Sequence, residues 1–264
     1  MKPVNYLSAI VAVVFAVASC SHSRTLNLVS YNVGGFMKYT EDSSPMVAAM
    51  MKELDPDFIS LNELDSCCYR SGGVYQLKEF ASHLGVGWDC SFARTIDFQG
   101  GAYGIGVAVS PRHKILSSSR LPLPVYDGVE ARALCVVETE DYVFASTHLD
   151  YVGDTVRVCQ ARDISVWMKE HYAKSRKPVI LCGDFNDTRD SDALKVLSID
   201  WDIVTPDAPT YSSTDPEICI DNIMILKNGV KFEVEEARVA DDFDNGDVTL
   251  ASDHLPVMAR VRFK

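Results

Sequence analysis

The chain has 264 residues, with 25 Lys and Arg against 37 Asp and Glu, and a formal net charge of −12. That balance excludes nucleic-acid binding by bulk electrostatics, which needs Lys and Arg to neutralise phosphates, though a local basic groove stays open. The length suits one large domain or two small ones, and with no Gly/Ser-rich or Pro-rich linker, low-complexity tract or repeat, one is the simpler reading.

The chain begins with Lys2 and a short apolar run, Leu7 to Ala18. A bilayer span takes about 20 residues, so this run is too short. A positive start, a short apolar stretch and small residues before a cut describe a secretory signal. Val17-Ala18-Ser19-Cys20 resembles the lipobox of bacterial lipoproteins. The resemblance implies that residues 1–19 are removed and that Cys20 carries lipid. Residues 20–25 are then a tether, and residues 26–264 form the domain. The expected protein is exported and lipid-anchored in the bacterial cell envelope, with 24 cations against 37 anions once Lys2 is gone.

Leu26 to Tyr31 alternates like a half-buried strand. A helix follows, with Ser43 or Ser44 as cap, Pro45 in its first turn, and Val47, Met50, Met51 and Leu54 as one apolar stripe. Phe58 to Leu61 reads as a strand, and Val74 to Leu84 as a helix that Gly85 can end. Gly104–Val109, Ala133–Val137 and Tyr142–Ser146 are short strands between turn signals. A helix from Thr155 to Tyr172 places Val156, Cys159, Ile164, Trp167 and Met168 on one side. The strands Val179–Cys182, Ile220–Leu226, Phe232–Val239 and Pro256–Phe263 complete the chain. Two sheets packed face to face, with helices outside, use every element, but the pattern does not fix strand order. Cys135 and Cys182 lie in apolar runs and read as small core residues. Cys67, Cys68, Cys90 and Cys219 leave room for one disulfide, with no pairing assigned.

Strand ends carry the chemistry. "LCGDFNDT" ends an apolar run in Gly183, Asp184, Asn186 and Asp187. "SYNVGG" puts Asn32 past the first strand, and "SLNELD" puts Glu63 past the second. "FASTHLD" supplies His148 and Asp150, and "LASDHLPV" supplies Asp253 and His254. Asp221 lies inside the apolar "ICIDNIMI", where a carboxylate needs a partner, and a histidine is a natural one. Carboxylates and amides without thiolates suit a hard cation, Mg²⁺ or Mn²⁺. Such a cation keeps coordination positions free for a phosphate.

"GDFN" and "SDH" in this order, after an "N…E…THL" series, resemble the endonuclease/exonuclease/phosphatase superfamily over nearly the whole domain. "IDFQGGAYGIGVAVS" resembles a strand-and-turn segment of its bacterial members. The resemblance implies an α/β fold, a four-layer α/β/β/α sandwich. It implies Glu63 as the principal metal ligand, helped by Asn32, with Asp253 completing the shell. Asp184 would orient or deprotonate the attacking water, and Asn186 would hold the phosphate. His254 would contact a phosphate oxygen, Asp221 would fix its tautomer, and His148 would bind the scissile phosphate. Asp150, Arg157, Gln160, Arg94 and Tyr103 receive no such role, nor does Asn222, which stands where many members have tyrosine.

The expected activity is Mg²⁺-dependent hydrolysis of a phosphate ester by in-line attack of water. A small phosphorylated alcohol, sugar or inositol fits the acidic chain. A lipid headgroup fits the membrane anchor, as in a sphingomyelinase-like phospholipase C. A secreted nuclease fits the superfamily, so nucleic acid is a possible but not favoured partner. A non-catalytic envelope binding protein would have lost some of Asn32, Glu63, His148, Asp184, Asn186, Asp221 and His254, and all seven are present.

Overall fold

The computed structural model describes residues 24–126 and 128–264. The expected signal peptide and lipidated Cys20 lie outside the described residues. Arg24 and Thr25, placed in the tether by sequence, instead begin the first strand, opposite Phe263 and Arg262.

The elements run β1 (Arg24–Asn32), α1 (Ser44–Glu53), β2 (Phe58–Ser66), α2 (Gln76–Leu84), β3 (Asp89–Phe98), β4 (Gly101–Val109), β5 (Ser117–Pro122), β6 (Ala133–Glu138) and β7 (Val143–His148). They continue with α3 (Asp154–Tyr172), β8 (Val179–Asp184), α4 (Asp192–Asp200), β9 (Trp201–Ile203), β10 (Asp221–Leu226), β11 (Phe232–Val239), α5 (Val248–Ala251) and β12 (Val257–Phe263). Two six-stranded sheets form, in the orders β11-β12-β1-β2-β4-β3 and β5-β6-β7-β8-β10-β9. Each contains one parallel pair, β1 with β2 and β7 with β8. Among the described residues no helix is long and apolar enough to cross a membrane.

The strand period of two sorts side chains into three apolar layers. Leu26, Leu28, Phe58, Val107, Phe144, Ile180, Ile223 and Val257 fill the space between the sheets. Phe58 stacks on Phe144 there, with ring centroids 5.0 Å apart. The opposite faces of β1 and β2, through Val29, Tyr31, Ile59 and Leu61, meet Val47 and Met51 of α1 and Phe80 of α2. Val143, Ala145, Val179 and Leu181 face α3 and α4 through Ile164, Met168, Leu194 and Leu197. The result is the four-layer α/β/β/α sandwich. Full burial of each such Leu, Ile or Phe contributes about 1.5–3 kcal/mol.

Polar links also cross the mostly apolar seam. Ser60 Oγ and Ser146 Oγ are 2.7 Å apart. Asn62 Nδ2 donates to Thr147 O at 2.9 Å, and its Oδ1 accepts from the Asp184 N–H at 3.0 Å. Buried polar groups need such partners, and these fix β2 of one sheet against β7 and β8 of the other.

The sequence pattern leaves β3, β5, α4, β9 and α5 unassigned. β5 is an exposed edge strand of Ser117, Ser118, Ser119 and Arg120, with no apolar alternation to announce it. On α3 the buried face is Val156, Arg157, Gln160, Ala161, Ile164, Ser165 and Met168. Cys159 and Trp167, expected on that face, are only half-buried. The seven cysteines among the described residues are free thiols, with Cys135 and Cys182 in the core.

Candidate active site

Both parallel pairs end at the same edge of the sandwich. Asn32 is the last residue of β1 and aligns with Asn62 on β2. His148 ends β7 in register with Asp184, which ends β8. Asp221 opens antiparallel β10 directly opposite Asp184. His254 precedes β12, bridged to Tyr211. The sequence-selected residues Glu63, His148, Asp184, Asn186, Asp253 and His254 line one cavity of about 470 Å³. Asn32 and Asp221 stand behind that wall, in hydrogen-bond contact with the lining residues.

Local backbone aims two of these side chains. β2 slips register against β4 between Leu61 and Leu64, and Glu63 sits in that bulge at φ +61. A left-handed non-glycine residue is strained, and a bulge of this kind re-aims a side chain. Asn186 is also left-handed, at φ +50, a conformation asparagine tolerates. Gly183 permits the close approach of β8 to β7. Its φ is +152, and a Cβ there would lie 1.9 Å from Thr147 O.

Asp184 is the hub, with a residue exposure of 1%. Its Oδ1 accepts from the Asn186 N–H at 2.8 Å, and its Oδ2 accepts from Asn32 Nδ2 at 3.0 Å. The Nε2 atoms of His148 and His254 lie 3.4 and 3.6 Å from the same Oδ2. Burial pushes the Asp184 carboxyl up to about 7, with the Asp221 charge adding to the rise and His254 opposing it.

The two imidazoles are held in different protonation states. His254 Nδ1 pairs with Asp221 Oδ2 at 2.9 Å. Burial alone would lower its pKa, but the carboxylates of Asp221 and Asp184 outweigh that and hold it up to about 10. His254 is therefore a cation at neutral pH. His148 Nδ1 lies 3.1 Å from Arg132 Nη1. Arginine only donates, so this nitrogen of His148 must be the acceptor and its proton must sit on Nε2. Burial, then Arg132, then His254 push the His148 pKa well below its ordinary value. Both rings thus turn an Nε2–H toward Asp184 and the cavity, one charged and one neutral.

Glu63 suits a cation. It is half-buried, its Oε1 accepts from Asn32 Nδ2 at 3.0 Å, and no Lys or Arg among the described residues forms an ion pair with it. That leaves Oε2 as an oxygen donor for a hard ion. Asn32 turns its amide nitrogen to Glu63 and Asp184, while its Oδ1 accepts from the Gly34 N–H at 3.1 Å. Asp253 Oδ2 pairs with Lys38 at 2.5 Å, which leaves one carboxylate oxygen. Ligand atoms of Asp184, Asp221 and His254 also converge within 4.8 Å. Within that trio His254 Nδ1 is already paired with Asp221 Oδ2 at 2.9 Å.

The chain belongs to the endonuclease/exonuclease/phosphatase family. The family's sequence profile matches residues 29–254. Members are metal-dependent enzymes that hydrolyse phosphate esters. Solved structures with the same fold include a family protein from Bacteroides thetaiotaomicron, 20% identical, covering 92% of this chain and 99% of its own, with a TM-score of 0.72. A mannosyl-6-phosphatase from the same organism is 19% identical, covers 89% of this chain and 99% of its own, and gives a TM-score of 0.72. TDP2 of D. rerio, solved with a single-strand DNA product, is 17% identical, covers 90% and 98%, and gives a TM-score of 0.68. No curated protein matches the sequence.

Sequence reasoning passed over Arg132, Glu130, Lys38 and Tyr211. Arg132 and Glu130 come from the loop before β6, which carries no motif. Tyr211 lies with its ring centroid 5.0 Å from that of His254. Arg157, Gln160 and Asp150 act on the loop beside the site. Arg157 Nε binds Asp187 at 2.9 Å, Gln160 accepts from the Asp150 N–H, and Asp150 accepts from Val129, Val152 and Gly153. Asn222 is buried, accepting from Arg189 at 2.9 Å. Arg94 pairs with Asp97 at the surface. Tyr103 lines the cavity.

Proposed function

We propose that the protein is a Mg²⁺-dependent phosphoesterase acting on a small phosphorylated alcohol, sugar or inositol. The observation that carries the choice of substrate is that each cation of the cavity and its extension is already matched to an acid. Lys38 pairs with Asp253 at 2.5 Å, Arg70 with Asp65 at 2.7 Å, and Arg132 lies 3.0 Å from Glu130. A duplex reader needs several cations free for successive phosphates. The densest basic stretch of the sequence, Arg112-His113-Lys114, begins at the other end of β2, where Arg112 and His113 bind Asp57. The shared fold with a mannosyl-6-phosphatase agrees with a phosphorylated sugar as substrate.

Glu63, with Asn32 and Asp253 beside it, would hold Mg²⁺ or Mn²⁺, whose chemistry there is to neutralise phosphate charge. Asp184, with a carboxyl near neutrality, takes a proton from the attacking water. His254 and His148 donate their Nε2–H groups to phosphate oxygens as charge develops. Asp221 holds the His254 ring and its charge. Asn186 spends one N–H on Leu149 O, at 3.0 Å, and keeps the second for the phosphate.

The same reading places the enzyme outside the cytoplasm, anchored through lipidated Cys20. A Cys20→Ala chain should lose its lipid label and its membrane fraction, and retention of both would refute the anchor. The substrate reading is tested by rates on small phosphomonoesters, sphingomyelin and plasmid DNA with Mg²⁺ and with chelator. Efficient plasmid nicking with poor turnover of small esters would restore the nuclease.

A further inference from the structure

Past Glu63 the cavity continues into a hollow of about 380 Å³ that shares Glu63, Tyr103 and Glu130 with it. Gly34, Met37, Lys38, Arg70, Ile96 and Phe98 form the rest of its wall. Arg70 is fixed on two sides. Its Nε and Nη2 bind Asp65 at 2.7 and 2.8 Å, and its guanidinium lies 4.6 Å from the Phe98 ring centroid. Its Nη1 has no hydrogen-bond partner among the described residues, which leaves two donors. Glu130 supplies the opposite character. Its Oε1 is buried 3.0 Å from Arg132 Nη1, and no hydrogen bond among the described residues engages its Oε2, which leaves that second oxygen as an acceptor. Burial first, and then Glu63, raise the Glu130 pKa against the pull of Arg132.

These features restrict the occupant. A second phosphate wants an unpaired cation, but Arg70 and Lys38 are already offset by Asp65 and Asp253. A nucleobase wants a bare aromatic face, but the Arg70 guanidinium lies over Phe98 and within 5.6 Å of the Tyr103 centroid. Rigid donors, one open acceptor and the apolar flank of Met37 and Ile96 suit hydroxyl groups, each of which both donates and accepts. We propose that this hollow is the subsite for the alcohol half of the substrate, and that it takes a neutral, hydroxyl-rich ring, a sugar or cyclitol bearing a single phosphate. The proposal rests on the phosphoesterase reading and adds the group that is recognised.

The test is steady-state kinetics of the full-length protein in detergent with Mg²⁺. The substrates are a hexose 6-phosphate, an inositol monophosphate, an inositol trisphosphate, a nucleoside 5′-monophosphate and ethyl phosphate. The singly phosphorylated hexose or cyclitol should exceed the other three substrates in kcat/KM. Glu130→Gln should lower the ratio of ring ester to ethyl phosphate about tenfold, mainly through KM, the size expected for one hydrogen bond to a charged group. Met37→Trp, which fills the hollow without removing a polar partner, should lower the same ratio. Thermal unfolding of each variant establishes that it folds. A wild type that treats ethyl phosphate as well as the ring esters, or variants that reduce all substrates equally, would overturn the subsite. No turnover of any ester would overturn the phosphoesterase reading itself, and the subsite with it.

Discussion

His254 donates through Nδ1 to Asp221 at 2.9 Å, and both side chains are almost wholly buried. The pair joins the start of β10 in one sheet to the segment that leads into β12 of the other, three residues before that strand begins. His254→Ala should lower kcat about 10²–10³-fold, the range for loss of one donor to a developing charge. Asp221→Asn should lower it as well, and the double variant should cost less than the two losses combined. Additive losses in the double-mutant cycle would separate the two residues.

Arg132 and His148 make a second prediction. With Nδ1 accepting from Arg132, His148 should appear in nitrogen NMR as the neutral Nε2–H tautomer. Arg132→Met removes that donor and one positive neighbour. The His148 pKa should then rise, the tautomers should mix, and kcat should fall about tenfold. An unchanged histidine spectrum would show that Arg132 does not set the ring.

Glu63→Gln tests the metal site with almost no change in volume. The fold should persist, apparent Mg²⁺ affinity should fall, and excess Mg²⁺ should partly restore the rate. Calorimetric titration of Mg²⁺ reads the affinity apart from turnover. Full activity at limiting Mg²⁺ would remove Glu63 from the ligand set.

Asp57 governs part of the acid stability. Burial opposes its charged form, but His113, the Asn27 N–H and Arg112 outweigh burial and hold its pKa below the ordinary carboxylate value. A depressed folded value gives stability that is present above the unfolded pKa of about 3.9 and is lost as pH falls through the folded value. Asp57→Asn should therefore be less stable than wild type at pH 7, and the gap should close below about pH 4. Urea unfolding at the two pH values measures it.

The sequence made legible those parts whose physics is local. Val47, Met50 and Met51 mark α1 by their spacing, and Leu26 and Leu28 mark β1 by alternation. Strand ends rich in Asp, Asn and His marked the site residues, because polar residues in quick succession after an apolar run need a reason, but their meeting at one edge depends on strand order. Asp221 was legible for the same cause, a carboxylate inside an apolar strand. What stayed hidden depends on contacts across the fold. Asn62 looks like any strand asparagine until β8 and β7 meet it. Arg132 gains its meaning only because β6 and β7 pair and bring its neighbourhood to His148. β5 pairs at an exposed edge, so no burial pattern marks it.

The most direct test of the account is the hydrolysis rate of a panel of phosphate esters, with Mg²⁺ and with chelator, at low and high salt. The account predicts Mg²⁺-dependent release of phosphate from a singly phosphorylated sugar or cyclitol, abolished by chelator and nearly indifferent to salt, because one phosphate is held by a few buried groups. Rapid, salt-sensitive cleavage of DNA with no turnover of small esters would contradict it.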